Sequence, residues 1–274
     1  MYLKLDYKER MKKIYFLIIV SFMVFIQSGL ARKPFSKLVF KDEFSGQGLP
    51  SDSLWGYENG YVRNGEIQYY TVKRQQNCYQ KDGYLHIVLL NDSANIDGKI
   101  CPITSASLIT KGKKAWKYCK VEVRAKLPSC LGTWPAIWMM PVDDKYGDWP
   151  KSGEIDIMEN VGYDALKVHY AIHSDKYNHT KDNQKRYTVE CPSAFTDFHI
   201  YGLEWSKNQI NWFLDGKLQY SVNKTESGWA AWPFDQPFYL LLNSAFGGGW
   251  GGRNGVDLTK LKQEYIIDYV RVYQ

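Results

Sequence analysis

Several things are missing or scarce in this chain. Beyond its first 31 residues no apolar run reaches the roughly 20 residues that a membrane-spanning helix needs, so no membrane insertion is expected. Charge of one sign is scarce. Of 35 Lys and Arg and 29 Asp and Glu, the first 31 residues hold five and two, and the rest carries a net charge of +3, too mild for a nucleic-acid partner. There is no Cys-x-x-Cys pair and no His-Glu-x-x-His, which argues against a zinc centre. Cys78, Cys101, Cys119, Cys130 and Cys191 are an odd set that leaves at least one thiol unpaired within the chain. Apolar residues hardly ever recur at 3.6 spacing, and no linker, low-complexity tract or repeat divides the sequence.

What is present begins with a leader. Met11-Lys12-Lys13 opens a basic segment, Ile14 to Ile26 is an apolar run of about 13 residues, and Gly29 and Ala31 supply the small residues of a cleavage site. A signal peptide over residues 1–31 is expected, with the ten residues before Met11 reflecting an upstream start codon. The protein is then exported, secreted or periplasmic, and no Cys beside the cleavage point offers a lipid anchor. Residues 32–274 suit one β-sandwich domain, expected to be a monomer.

The chain is 16% aromatic and reads as short alternating runs broken by turn residues. In "YCKVEVRAKLP", Val121, Val123, Ala125 and Leu127 alternate with Lys120, Glu122, Arg124 and Lys126, a strand with one buried and one wet face. "FHIYGLEW", "QINWFL" and "KLQYSV" follow as three strands, the last two joined by the hairpin dipeptide Asp215-Gly216. "FYLLLNSAFGG" is apolar on both faces and predicts a central strand running into a loop. Its Gly247-Gly248-Gly249 precedes no Gly-Lys-Ser/Thr, and no helix is expected to open there. "YIIDYVRVYQ" should tie the C-terminus into a sheet. The class is all-β: a jelly-roll sandwich of two curved antiparallel sheets, with a barrel as the alternative.

"KSGEIDIMEN" is the anomaly, because it places three carboxylates in six positions of an apolar strand. In a regular strand Glu154 and Asp156 share a face and Glu159 takes the other. One extra residue near Ile157-Met158, a β-bulge, brings all three to one face. Acids on the wet face of an edge strand would keep it soluble, which is the plain explanation. Its surroundings favour another. "GTWPAIWMMP" and Trp149 bring three tryptophans close upstream, and "VHYAIHS" places His169 and His173 on one parity downstream. Aromatic faces beside paired carboxylates suit a sugar-cleaving cleft. Spacing alone does not complete it, since residues five apart on a straight strand lie roughly 17 Å apart.

Glu154-Ile-Asp156-Ile-Met-Glu159 resembles the catalytic signature of glycoside hydrolase family 16, in its laminarinase-like branch. The resemblance extends through "RNGEIQYYT", "SASLITKGK", "GTWPAIWMMP", "WPFDQPFYLLLN", "GGGWGG" and "IDYVRVYQ". It implies a concave substrate groove and an endo-acting, retaining hydrolase with Glu154 as nucleophile and Glu159 as acid/base. Asp156 would hold Glu159 protonated by charge repulsion and orient Glu154 by hydrogen bonding. It also implies sugar platforms at Trp134, Trp138 and Trp149, a histidine near the acid/base at His173, hydroxyl-binding groups at Asn64 and Glu66 on the strand "RNGEIQYY", and a cap over the groove at Trp250. No cofactor is implied, and no calcium loop is readable although some relatives hold a structural calcium.

The chain departs from the family at Ser107, where laminarinases often carry Arg, and at Cys119 and Cys130, which replace common glycines. The expected substrate is a β-1,3- or mixed-linkage β-1,3/1,4-glucan. The alternatives are β-galactosyl bonds, in algal galactans or poly-lactosamine O-glycans, and a glycan-binding module without turnover.

Overall fold

Asp215 and Gly216 take φ of 51° and 75°, and Leu214 pairs with Lys217 across them. Two successive positive φ values make the turn whose twist matches antiparallel strands, which is why the Asp-Gly dipeptide appears there. The structure, a computed structural model, describes residues 35–274; the expected leader lies outside them.

Seventeen strands follow among the described residues: β1 (Leu38–Asp42), β2 (Gly56–Tyr57), β3 (Tyr69–Tyr70), β4 (Cys78–Lys81), β5 (Tyr84–Ile96), β6 (Lys99–Ser105), β7 (Ser107–Ile109), β8 (Cys119–Lys126), β9 (Thr133–Pro141), β10 (Glu154–Glu159), β11 (Lys167–His173), β12 (Lys185–Glu190), β13 (His199–Trp205), β14 (Gln209–Leu214), β15 (Lys217–Asn223), β16 (Phe238–Phe246) and β17 (Gln263–Tyr273). One sheet runs β15-β14-β13-β8-β17-β5-β6-β3, with β1 beside β17 and β4 beside β5; the other runs β12-β11-β10-β9-β16-β7-β2. These are the two sheets of a jelly-roll sandwich, and Lys37–Gln274 form one unit. One pair departs from the antiparallel rule. Tyr69–Tyr70 lies parallel to Thr104–Ser105, reached by a loop rather than by a hairpin.

The core lies between the sheets. Cys119, Val121, Val123 and Ala125 point in from β8, and Ile137, Met139, Ile155, Ile157, Met158, Val168 and Tyr170 meet them from the second sheet. All nine residues of β16 are buried, because β9 and β7 flank it and both its faces are covered. β17 ties the C-terminus to β1, β5 and β8.

Two local expectations are corrected. Only the last two residues of "RNGEIQYY", Tyr69–Tyr70, are strand: Asn64 and Gly65 take φ of 58° and 64° and form a turn, and Glu66 makes an isolated bridge to Gly247. The Asn-Gly dipeptide outweighed the alternation around it. The glycine stretch expected as plain loop forms a single helical turn, Gly248–Gly251.

β10 is clasped by backbone contacts at its end. A Cβ on Gly162 would lie 1.8 Å from the Cys130 carbonyl oxygen, so only glycine lets the chain leave β10 on this course. Gly162→Ala should cost about 3 kcal/mol and lower the melting temperature by roughly 6–12 °C, as calorimetry would read; an unchanged melting temperature would refute the close approach.

Candidate active site

β10 is a central strand, not an edge, which removes the solubility explanation for its acids. Against β9, Asp156 pairs with Trp138 and Met158 with Ile137, so one residue, Ile157, is inserted; against β11, Asp156 pairs with Ala171 and Glu159 with His169. That is the β-bulge the spacing asked for. It puts Ile157 and Met158 side by side in the core and turns Glu154, Asp156 and Glu159 together onto the outer, concave face.

Both outer acids are half-buried and held by an indole. Trp149 Nε1 donates to Glu154 Oε2, and Trp134 Nε1 donates to Glu159 Oε1 at 3.0 Å. Asp156, between them, is 1% exposed. Burial first, then the Glu154 charge and a hydrogen bond with it, pushes Asp156 well above the ordinary carboxylate range. Glu159 is raised as well, by burial first and then by Asp156 and Glu154. The sequence placed charge repulsion first for Glu159; desolvation leads.

His173 stands opposite Glu154 on β11, with Nε2 3.3 Å from Asp156 Oδ2. Asp156 Oδ2 has no hydrogen-bond partner, because the 3.3 Å approach lacks the geometry of a bond, and His173 Nδ1 on the other side of the ring has none either. Glu154, Asp156 and His173 each offer an atom within 4.8 Å of the others, the spacing of a cation site. The Trp149 indole N–H already points at the Glu154 carboxylate, which suits acid/base chemistry better than a metal.

The remaining expected residues divide. Trp250 stands edge-on to Trp134 at 5.5 Å and to His169 at 5.0 Å, walling the Glu159 side. Trp138 lies on the concave face opposite Asp156 but is 8% exposed: its Nε1 donates to Asn243 Oδ1 at 2.7 Å and the Arg63 guanidinium covers its ring at 4.8 Å. It is a floor under Arg63 and not the open platform expected. Glu66 is buried, and its oxygens accept from Asn64, Gln68 and Tyr70. Asn64 is thus a partner of Glu66 from the turn, not its neighbour on a strand face.

Sequence reasoning missed Glu58, Arg63, Gln68, Tyr70, His179 and Asn243. Asn243 Nδ2 donates to Tyr70 OH at 2.9 Å, joining the Trp138 bond to the Glu66 cluster. His179 packs on Trp149 at 5.0 Å. Asn243 alone carried a signal, as a polar residue inside a largely apolar strand.

Two other features do not compete. Ser193 Oγ, His199 and Asp215 form a chain of 2.9 Å and 2.7 Å, as in a hydrolytic triad. The Ala194 N–H that an oxyanion would need is bonded to Cys191 O, and Asp215 also accepts from Ile200 N, so this chain staples a hairpin. All five cysteines are buried free thiols. Cys119 fills the core opposite Trp205, and Cys130 Sγ donates to Asp257 O at 3.3 Å.

Comparison with known proteins agrees with this geometry. The family model described as "Glycosyl hydrolases family 16" matches residues 64–271. A "Beta-glucanase" of Rhodothermus marinus is 43% identical over 89% of this chain and 87% of its own length. A "Glucan endo-1,3-beta-glucosidase A1" of Niallia circulans is 36% identical over 86% of this chain, which spans 38% of that protein. The solved laminarinase of Rhodothermus marinus superposes with a TM-score of 0.84 at 44% identity, covering 89% of this chain and 99% of that one. A family model over most of the chain and a relative this similar decide the matter: the chain belongs to glycosyl hydrolases family 16.

Proposed function

We propose that this glycoside hydrolase cleaves internal bonds of a β-1,3- or mixed-linkage β-1,3/1,4-glucan with retention of configuration. Glu154 attacks the anomeric carbon while Glu159 gives its proton to the departing oxygen; Glu159 then takes a proton from the water that releases Glu154. Asp156, beside Glu154 on the same face of β10, keeps that nucleophile aimed. The observation that carries these roles is the joint presentation of three acids by one bulged strand, with Glu159 pushed toward its protonated form. The substrate follows the similarity to a β-glucanase and a glucan endo-1,3-β-glucosidase. The leader supports export, and the enzyme acts outside the cytoplasm as a monomer without a cofactor.

A product-release screen across laminarin, barley glucan, lichenan, agarose, porphyran and mucin O-glycans tests the substrate. Laminarin or a mixed-linkage glucan should release oligosaccharides fastest; release from the galactans alone would move the assignment to β-galactosyl bonds. Glu154→Gln should abolish release while retaining affinity for the glucan, measured by calorimetric titration. Residual turnover near wild type would remove Glu154 from the chemistry.

Glu159→Gln should cut the rate by about 10²–10⁴. It should also raise the melting temperature at neutral pH. A carboxyl whose folded pKa is raised binds more protons folded than unfolded, so its burial costs stability above the unfolded pKa near 4, and the gain from Gln should vanish below it. Equal melting temperatures at pH 7 would contradict the raised pKa. Asp156→Asn removes one of the neighbours that raise Glu159, so the alkaline limb of the kcat/KM profile should move to lower pH. An unmoved limb would show that Asp156 does not tune the acid.

A further inference from the structure

Three histidines stand around the acids, and they differ in what they leave open. His173 is buried beside Asp156, and His169 is half-buried against Trp250 with its Nδ1 3.0 Å from Thr188 Oγ1. His179 is exposed, and among the described residues its ring makes no hydrogen bond. That ring packs on Trp149 at 5.0 Å and edge-on to His173 at 5.2 Å. Trp149 is the indole that donates to Glu154, and Glu154 is close enough for its charge to act on His179. An open imidazole therefore stands one indole away from the carboxylate that attacks.

The segment carrying His179 lies outside the sheets, yet one side chain ties it down. Asn178 is 1% exposed. Its Nδ2 donates to Ser174 O at 3.0 Å and to Asp175 O at 3.1 Å, its Oδ1 accepts from Thr180 Oγ1 at 2.6 Å, and its own N–H donates to Asn183 Oδ1 at 3.0 Å. Lys176 N donates to Ala230 O at 2.7 Å and fixes the base of the same loop. A loop held this way presents its next residue in one place, and that residue is His179. Leaning on an indole asks only for an apolar ring; what a histidine adds is a polar edge.

We propose that His179 is a substrate-contacting residue of this hydrolase, bonding a hydroxyl of the sugar that Glu154 attacks. Trp134 and Trp250 wall the Glu159 end of β10, where the departing oxygen is protonated. Trp149 and His179 wall the Glu154 end, where the bond to the sugar forms. Attack requires the anomeric carbon at about 3–3.5 Å from the Glu154 carboxylate, which brings the hydroxyls of that sugar beside this wall. Burial first and then His173 hold His179 below the ordinary histidine range, against the pull of Glu154, so the ring is neutral at neutral pH. A neutral imidazole offers one donor and one acceptor, the same pair that a hydroxyl offers. This inference rests on the glucan assignment and adds a contact that neither carboxylate supplies.

His179→Ala and His179→Phe test it on laminarin. Both remove the polar edge, and Phe keeps a ring against Trp149. Both should raise KM about threefold to tenfold, the loss of one neutral hydrogen bond. The kcat should stay within about threefold of wild type, the split expected when binding common to ground and transition states is lost. In the inactive Glu154→Gln background, calorimetric titration with laminarin oligosaccharides should show the same weakening. Melting temperatures should match wild type, because Asn178 holds the loop whatever follows it. A rise in KM in the Ala variant alone would make His179 a brace for Trp149, and a rise in the Phe variant alone would report crowding. Either result overturns the proposal, as does an unchanged KM in both variants or a loss of kcat in place of affinity. Wild-type release from a galactan and not from laminarin fails the glucan assignment alone, and the same comparison is then read on that galactan.

Discussion

The single inserted residue at Ile157 is the constraint on which the site depends. Without it, β10 would turn Glu159 into the sandwich and Met158 out of it. With it, Ile155, Ile157 and Met158 are fully buried on one side and three acids stand on the other. Burial of such side chains stabilises by about 1.5–3 kcal/mol each, enough in sum to hold a strand whose opposite face carries a buried carboxyl. The hydrophobic half of β10 fixes the register, and the register fixes the chemistry.

The neighbours of the acids are as selective as the acids. Neutral indole N–H groups from Trp134 and Trp149 hold Glu159 and Glu154, and no Lys or Arg contributes to the raised pKa of Glu159. A cation in either place would orient the carboxylate equally well but would pull its pKa down. An indole orients by one hydrogen bond and leaves the proton where burial and the neighbouring acids put it.

Much of this was legible because it follows from local rules. Alternation in β8, the Asp-Gly hairpin and the C-terminal strand are period-two patterns read directly from the residues. The bulge was legible too, since three acids on an otherwise apolar strand have only one parity that serves them all. What escaped depends on contacts between distant segments. "RNGEIQYY" alternates like a strand, but its Asn-Gly takes positive φ and delivers Arg63 to a tryptophan 75 positions away. Trp138 looked like a platform because nothing near it in sequence announces what covers it. Asn243, Tyr70 and Glu66 are joined only through the fold.

The division between centre and rim has a physical reason. The acids sit on the third strand of a seven-stranded sheet, braced on both sides, where backbone position varies least. Arg63, Glu58 and Asn64 come from turns and from beside the short edge strand β2, which few contacts brace. A retaining mechanism tolerates little movement between its two carboxylates, whereas recognition of the next sugar depends on one or two hydrogen bonds that a changed turn can supply from a new direction. Chemistry is therefore held by the buried ladder, and substrate choice is left to segments that can change without unfolding it.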